Sequence, residues 1–175
     1  NNTLLRRNIR INTLQKIVSS ALENSAVEHT MLFRKIGKDF ITIHYDLPVI
    51  NLNHLKQLTT DTGIIQYSKI NQPDLCSGYT LDDNARALVA FSMHLIHTGD
   101  NESLWYIDRY ISFIKYCLQP DGNFLNYVDI ENNYTAQNRD VNLDDSNGRA
   151  IWALGYIVSE KGLLPERLIS AAIAI

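Results

Sequence analysis

The sequence contains little of what marks a metal-binding, disulfide-bonded or membrane-spanning protein. Its 175 residues include only two cysteines, Cys76 and Cys117, which form no Cys-x-x-Cys or Cys/His pattern. The five histidines share no ligand spacing either. No apolar stretch approaches the roughly 18 residues that cross a bilayer. We therefore predict no metal, no disulfide framework and no membrane partner.

The charges exclude further partners. The 16 basic and 19 acidic residues are scattered and give a net charge of −3, so no basic patch is available for a phosphate backbone. No Gly-rich phosphate loop follows a strand, and we predict no cofactor and no nucleic acid. The first residues lack the charged-then-apolar order of a secretion signal, which favours a cytoplasmic protein. The missing initial methionine and the unfinished apolar run at 171–175 indicate a piece of a longer protein.

What the sequence does contain is an internal repeat. The string Asp-Asp-Asn-Ala-Arg-Ala at 82–87 returns as Asp-Ser-Asn-Gly-Arg-Ala at 145–150, with Arg86 and Arg149 63 positions apart. Each copy lies at the start of an apolar run with helical spacing. Repeats of this kind decide an architecture, because equivalent segments build equivalent elements.

Hydrophobic periodicity predicts a mainly helical chain. The predicted helices cover about 3–23, 53–60, 81–97, 102–118 and 147–160, and another begins near Glu166. Asp82 or Asp83 is predicted to cap the third helix and Gly99 to close it. Residues 40–45 could form a short extended piece, and residues 61–78 read as a connecting loop.

The apolar patterns also predict how the helices are arranged. The helices at 81–97 and 147–160 are apolar nearly all round, whereas the helix between them has a single apolar stripe. A helix that is apolar on every side must be surrounded, while its neighbour can face water. The sequence therefore predicts an all-α fold with two layers, an α/α toroid or toroid-like stack of helical hairpins.

In such a stack the inner helices run the same way, so their starts lie on one rim. The polar residues at the two starts are Asp82, Asp83, Arg86, Asp144, Asp145, Asn147 and Arg149. Two carboxylates across a pocket could serve as the acid and the base of glycoside hydrolysis. Arginine and asparagine could hold sugar hydroxyls, and Tyr79, Phe124, Tyr127 and Trp152 could offer apolar platforms for sugar rings.

A structural interpretation of the same residues stays open. Asp82 and Asp145 stand at matching positions where a helix cap explains an aspartate. Arg86 can form a local ion pair with the aspartates three and four positions before it. Trp152 lies on an otherwise apolar helix and is predicted to be a core residue.

Four segments resemble a known family. They are Leu-Thr-Thr-Asp-Thr-Gly-Ile-Ile-Gln at 58–66, Ser-Gly-Tyr before the Asp-Asp-Asn-Ala-Arg-Ala string, Gln-Pro-Asp-Gly at 119–122, and the second copy of the string. Together they resemble the helical toroid domain of bacterial proteins described as glycosyltransferases, a fold similar to the (α/α) six-hairpin glycosidases. The resemblance covers about residues 48 to 160, and the string at 82–87 is its most specific part.

The resemblance implies a domain division and a function. Residues 1–47 would be an N-terminal helix and a tail from a preceding domain, and 48–175 would be the first hairpins of an incomplete ring. A truncated ring exposes apolar surface, which predicts self-association. The implied function is that of a carbohydrate-active domain of a glycosyltransferase protein, with the fragment itself inactive.

The site prediction combines both lines of reasoning. Asp83 and Asp145 are the predicted catalytic acid and base. The predicted substrate-binding residues are Tyr79, Asp82, Asn84, Arg86, Asp144, Asn147 and Arg149. The alternative function is a noncatalytic scaffold or interaction module, in which the same residues are helix caps and ion pairs.

Overall fold

A computed structural model describes residues 31–36, 40–45 and 49–175 of the chain. The chain divides into two compact units, residues 1–49 and 50–175. In the first unit, β1 (Met31–Ile36) and β2 (Phe40–Tyr45) pair antiparallel, with Ile36 opposite Phe40. This pairing confirms the extended piece predicted at 40–45. The helix predicted over about 3–23 lies outside the described residues.

The second unit is mainly helical. Its α-helices are α1 (Asn53–Leu58), α2 (Leu81–Thr98), α3 (Ser103–Cys117), α4 (Asp144–Ser159) and α5 (Glu166–Ile173). Two-residue strands form two antiparallel pairs, β3 (Ser68–Lys69) with β4 (Gln72–Pro73) and β5 (Tyr79–Thr80) with β6 (Tyr127–Val128). The helical content agrees with the predicted fold class. The predicted helices are confirmed, although α4 begins at Asp144 rather than near 147.

The two ends of α2 follow from local chemistry. Thr80 has an extended backbone, and its hydroxyl oxygen accepts a hydrogen bond from the Asp83 backbone N–H. The predicted cap at Asp82 or Asp83 is therefore wrong, because both aspartates already lie in the first helical turn. The predicted end at Gly99 is confirmed. Gly99 has φ of 71°, a left-handed conformation that glycine adopts without steric cost.

The core lies around α2, which packs against both α3 and α4. Leu81, Leu88 and Phe91 of α2 have no exposed surface. From α3, Ile107 and Ile114 are buried against them, while Ser112 and other polar residues of α3 face water. The helix α5 packs mainly against α4. This confirms that α3 buries one face and that α2 is surrounded on most sides.

The helix α4 differs from its prediction. Ile151 is 61% exposed and Trp152 is 54% exposed, so α4 is not buried all round and Trp152 is not a core residue. The prediction was wrong because apolarity on every side was taken to require neighbours on every side. Among the described residues, α4 has α2 on one side and α5 behind it, and its remaining face is open.

Candidate functional site

The starts of α2 and α4 lie side by side at one end of the helical unit. The Nε atom of Arg149, in α4, lies 2.8 Å from Asp82 Oδ1 of α2 and 2.9 Å from Asp145 Oδ2 of its own helix. One guanidinium thus stands between two carboxylates that belong to different copies of the repeat. The structure therefore brings together residues that the sequence places 63 positions apart.

Asp82 is at the centre of this ion-pair cluster. Arg86 Nη2 donates to Asp82 Oδ2 over 2.7 Å, and the Asp82 side chain is 23% exposed. Burial raises the pKa of the Asp82 carboxyl, while Arg86 and Arg149 oppose that rise and Asp83 and Asp145 add to it. Arg86 and Arg149 thus stabilise the charged form of Asp82 against the effect of burial.

One oxygen of Asp82 is left without a hydrogen bond. Oδ1 is buried and accepts none, although Arg149 Nε is only 2.8 Å away. The reason is that Nε carries a single hydrogen, which is directed at Asp145. Asp82 Oδ1 is therefore held by charge attraction alone.

Asp83 is bonded within the fold. Its Oδ2 accepts from the Thr80 hydroxyl at 2.7 Å, and its Oδ1 accepts from Arg86 Nη1 at 3.0 Å. Asp83 borders a depression of about 520 Å³ between α1, residues 64–68 and α2. Asp145 borders another depression, of about 440 Å³, together with Arg149. The two predicted catalytic carboxylates thus open onto separate depressions rather than onto one pocket.

The two asparagines of the repeat have equivalent structural roles. Asn84 has no exposed surface; its Oδ1 accepts from the Ile64 N–H and its Nδ2 donates to the Thr80 carbonyl. Asn147 Oδ1 accepts from the Phe124 N–H, and Nδ2 donates to the Phe124 and Leu143 carbonyls. Each asparagine ties its helix start to a preceding loop. This geometry argues against the predicted sugar-binding role of both.

A close contact shows how tightly the first asparagine is enclosed. A Cβ placed on Gly63 would lie 2.4 Å from Asn84 Oδ1, which is closer than any real contact. Only glycine therefore allows the loop to approach the amide and present the Ile64 N–H to it. The glycine of the Asp-Thr-Gly-Ile segment thus belongs to the fold of the rim.

Tyr79 is also occupied by the fold. Its side chain is 3% exposed, and its hydroxyl shares a 2.9 Å hydrogen bond with the Thr60 hydroxyl. Among the predicted platforms, Phe124 is buried as well. Tyr127 is half-buried, whereas Trp152 is exposed and borders the depression with Asp145.

The depression beside Trp152 is the candidate site. Asp144, Asp145, Gly148 and Arg149 line it with Trp152, so it combines two carboxylates, one guanidinium and one indole face. Asp144 is oriented by Asn142, whose side-chain amide donates to Asp144 Oδ2 over 3.0 Å. The site can accept hydrogen bonds, donate them and stack an apolar face.

The sequence interpretation assigned no role to one residue of this region, Thr80. Thr80 and Asp83 have the spacing of a capping box, in which a residue three positions on bonds back to the cap. For Trp152 the sequence offered both a sugar platform and a core position, and no pattern in the chain shows that its helix face is open.

Comparison with known proteins does not identify the chain. No protein-family model matches it, and no curated protein matches it. Among the described residues, no three His, Cys, Asp or Glu side chains are grouped as metal ligands would be. No helix among them is long and apolar enough to cross a membrane.

Proposed function

We propose that residues 50–175 form a carbohydrate-binding helical module, in which a glycan binds beside Trp152. The observation that carries the proposal is the exposed indole next to two carboxylates and a guanidinium in one depression. Aromatic faces pack against the C–H faces of sugars, while carboxylates and guanidinium groups bond hydroxyls with fixed geometry. The resemblance to the toroid domain of glycosyltransferase proteins supports the same ligand class.

The proposal includes a toroid-like arrangement of the helices. The starts of α2 and α4 meet at one end, as Arg149 and Asp82 show, and each is tied by its asparagine to the loop before it. Outer helix α3 connects the two and faces water on one side. These features support a two-layer stack of helical hairpins with α2 and α4 as the inner layer.

The geometry favours binding over turnover. The Arg149 guanidinium occupies the space between Asp82 and Asp145, where a glycosidic bond and a water would have to stand. Asp83 has both oxygens bonded to the chain's own residues. A carboxylate that is held by a hydroxyl and a guanidinium of its own helix start is not free to exchange a proton with a substrate.

In the experiment, the protein is titrated with a panel of neutral, acidic and amino oligosaccharides. Binding is measured by isothermal titration calorimetry and by changes in the amide chemical shifts in NMR spectra. Trp152→Ala is expected to lose at least about tenfold in affinity, the equivalent of 1.4 kcal/mol, at an unchanged free energy of unfolding. The control is Trp105→Ala, because Trp105 is the chain's other tryptophan and is partly exposed on α3.

Two results would contradict carbohydrate binding. One is a wild-type protein that binds no saccharide of the panel at millimolar concentration. The other is a Trp152→Ala variant that binds as well as Trp105→Ala. A second variant is Asp145→Asn, which removes a negative charge from the depression and leaves Asn84 and Asn147 unchanged.

The second candidate function is a noncatalytic scaffold or interaction module. It is favoured by a specific observation, namely that Tyr79, Asn84 and Asn147 have their polar atoms bonded inside the fold. Under this function, Asp145→Ala costs about 1 kcal/mol of stability or less and changes no sugar binding. The same titration therefore separates the two candidates.

A further inference from the structure

Equivalent positions of the two repeats differ sharply in exposure. Leu88 of α2 has no exposed surface, while its equivalent in α4, Ile151, is 61% exposed. Leu95 is buried and Val158 is exposed in the same way. The small residues next to them differ in the same way. Ala85 and Ser92 of α2 are buried, whereas their equivalents in α4, Gly148 and Gly155, are exposed. A face that is covered on α2 is thus open on α4.

Two helices, α3 and α4, pack against α2 and bury this face. The small residues Ala85 and Ser92 let such a neighbour approach closely. The open face of α4, made of Gly148, Ile151, Gly155 and Val158, follows helical spacing and forms one stripe. Because α2 and α4 are copies of one repeat, a helix whose surface is like the packed side of α4 would fit this stripe.

Helix α2 has such a surface, at the opposite edge of the helical unit. Along α2, Arg86, Ala90, Met93 and His97 form an edge at helical spacing, and all but the half-buried Ala90 are exposed. Of the equivalent residues of α4, Ala153 is fully buried and Arg149, Tyr156 and Glu160 are half-buried. Arg149 contacts Asp82 of α2. The free edge of α2 is therefore the counterpart of the side by which α4 is already packed.

The charges of the two surfaces are complementary. Within the chain, Asp82 at the start of α2 contacts Arg149 of the next helix. The equivalents of this pair are Asp145, whose side chain is 77% exposed, and Arg86, which is 49% exposed. Arg86 of one copy placed beside Asp145 of another would repeat the contact already present inside the chain.

We propose that a second copy of this chain docks its α2 edge onto the α4 face, head to tail, with Arg86 of one copy against Asp145 of the other. The proposal goes beyond carbohydrate binding and does not depend on it. Since the two docking surfaces differ, each copy keeps one of them free, and repeated docking gives a closed ring or a filament. Asp145 and Gly148 line the depression beside Trp152 and also belong to the docking surface, so docking covers part of that depression.

The test measures mass by light scattering after size exclusion, from low micromolar to several hundred micromolar protein. The wild type is expected to assemble as concentration rises. Ile151→Glu blocks the α4 face and Met93→Glu blocks the α2 edge, so each variant alone is expected to stay monomeric. Mixed together, they retain one good surface each and are expected to form a one-to-one complex of twice the monomer mass. Ser112→Glu, on the exposed side of α3, is the matched control and keeps the assembly.

Three outcomes overturn the proposal. The first is a wild type that stays monomeric over the whole range. The second is assembly that survives Met93→Glu but not Ile151→Glu, since that result means two α4 faces pair with each other. The third is a mixture of the two variants that forms no complex. Both substitutions are at exposed positions, and circular dichroism checks that each variant is folded.

Discussion

The asparagines of the two repeat copies form equivalent hydrogen bonds, but the two copies are buried to different extents. Asn84 and Asn147 each hold a preceding loop through the same amide atoms. Asp82, however, lies between Arg86 and Arg149, whereas Asp145 is 77% exposed and bonds to Arg149. The comparison shows that the motif determines the local bonds of a helix start, while the neighbouring helix determines how deeply that start is buried.

The largest expected contrast concerns the apolar faces of the two helices. Leu88→Ala removes buried methyl groups and leaves a cavity, so it should lower the free energy of unfolding by about 3 kcal/mol. Ile151→Ala removes methyl groups that already contact water and should cost less than about 0.5 kcal/mol. Both are measured by urea unfolding in a Met93→Glu background, which keeps the protein monomeric. Equal costs would mean that the α4 face is covered within one chain.

The next contrast concerns the two asparagines. Asn84→Ala leaves the buried Ile64 N–H without an acceptor and should cost about 3 kcal/mol. Asn147→Ala should cost about 2 kcal/mol, because Asn147 is only half-buried and water can replace part of its bonding. The exposed Asn101→Ala is the control. If thermal and urea unfolding gave both variants the same free energy of unfolding as Asn101→Ala, neither amide would hold its loop.

A smaller effect should distinguish the two helix starts. Thr80 caps α2 through its hydroxyl, whereas Leu143 at the start of α4 has no side-chain cap. Thr80→Ala is expected to lower the free energy of unfolding by about 1 kcal/mol, and Thr80→Ser should restore most of it. If the serine variant were as unstable as the alanine variant, packing of the threonine methyl rather than the cap would explain the loss.

The smallest expected effect is the pH dependence that comes from Asp82. Since burial raises its folded pKa above the ordinary value of 3.8, the folded state binds the proton more tightly than the unfolded chain. The contribution of Asp82 to stability should therefore fall as pH rises from 3.8 through the folded pKa. The measurement is the difference in unfolding free energy between wild type and Asp82→Asn across this window. Arg86 lowers the pKa of Asp82, so Arg86→Gln should raise this pKa and move the upper end of the pH window to higher pH. A move to lower pH would contradict this assignment.

Much of the helical framework could be predicted from the sequence because its signals are local. The spacing of apolar residues indicated α2 and α3, and Gly99 indicated where α2 ends. The cap of α2 was misplaced by two to three residues, since the Thr80 side chain can cap a helix as the two aspartates can and only the backbone shows which residue is extended.

The candidate site could be predicted only in part. Equivalent positions in a repeat indicated that Asp82, Asp145 and Arg149 belong to one rim, and they do meet. The roles within the rim depended on burial. Asn84 and Tyr79 carry the same polar atoms whether they face a sugar or a neighbouring loop, and the sequence does not distinguish these environments.

By itself, the sequence determined where the helices of residues 50–175 run to within a few residues, that α2 ends at Gly99, and that two of the helices start alike. These features depend on contacts within a few residues, which a local pattern records. Only the tertiary structure decided that Arg149 stands between two carboxylates, that Asp83 and Asp145 open onto different depressions, and that Trp152 is exposed. Each of these depends on which segments lie beside α2 and α4, and that is a property of packing between segments far apart in the chain.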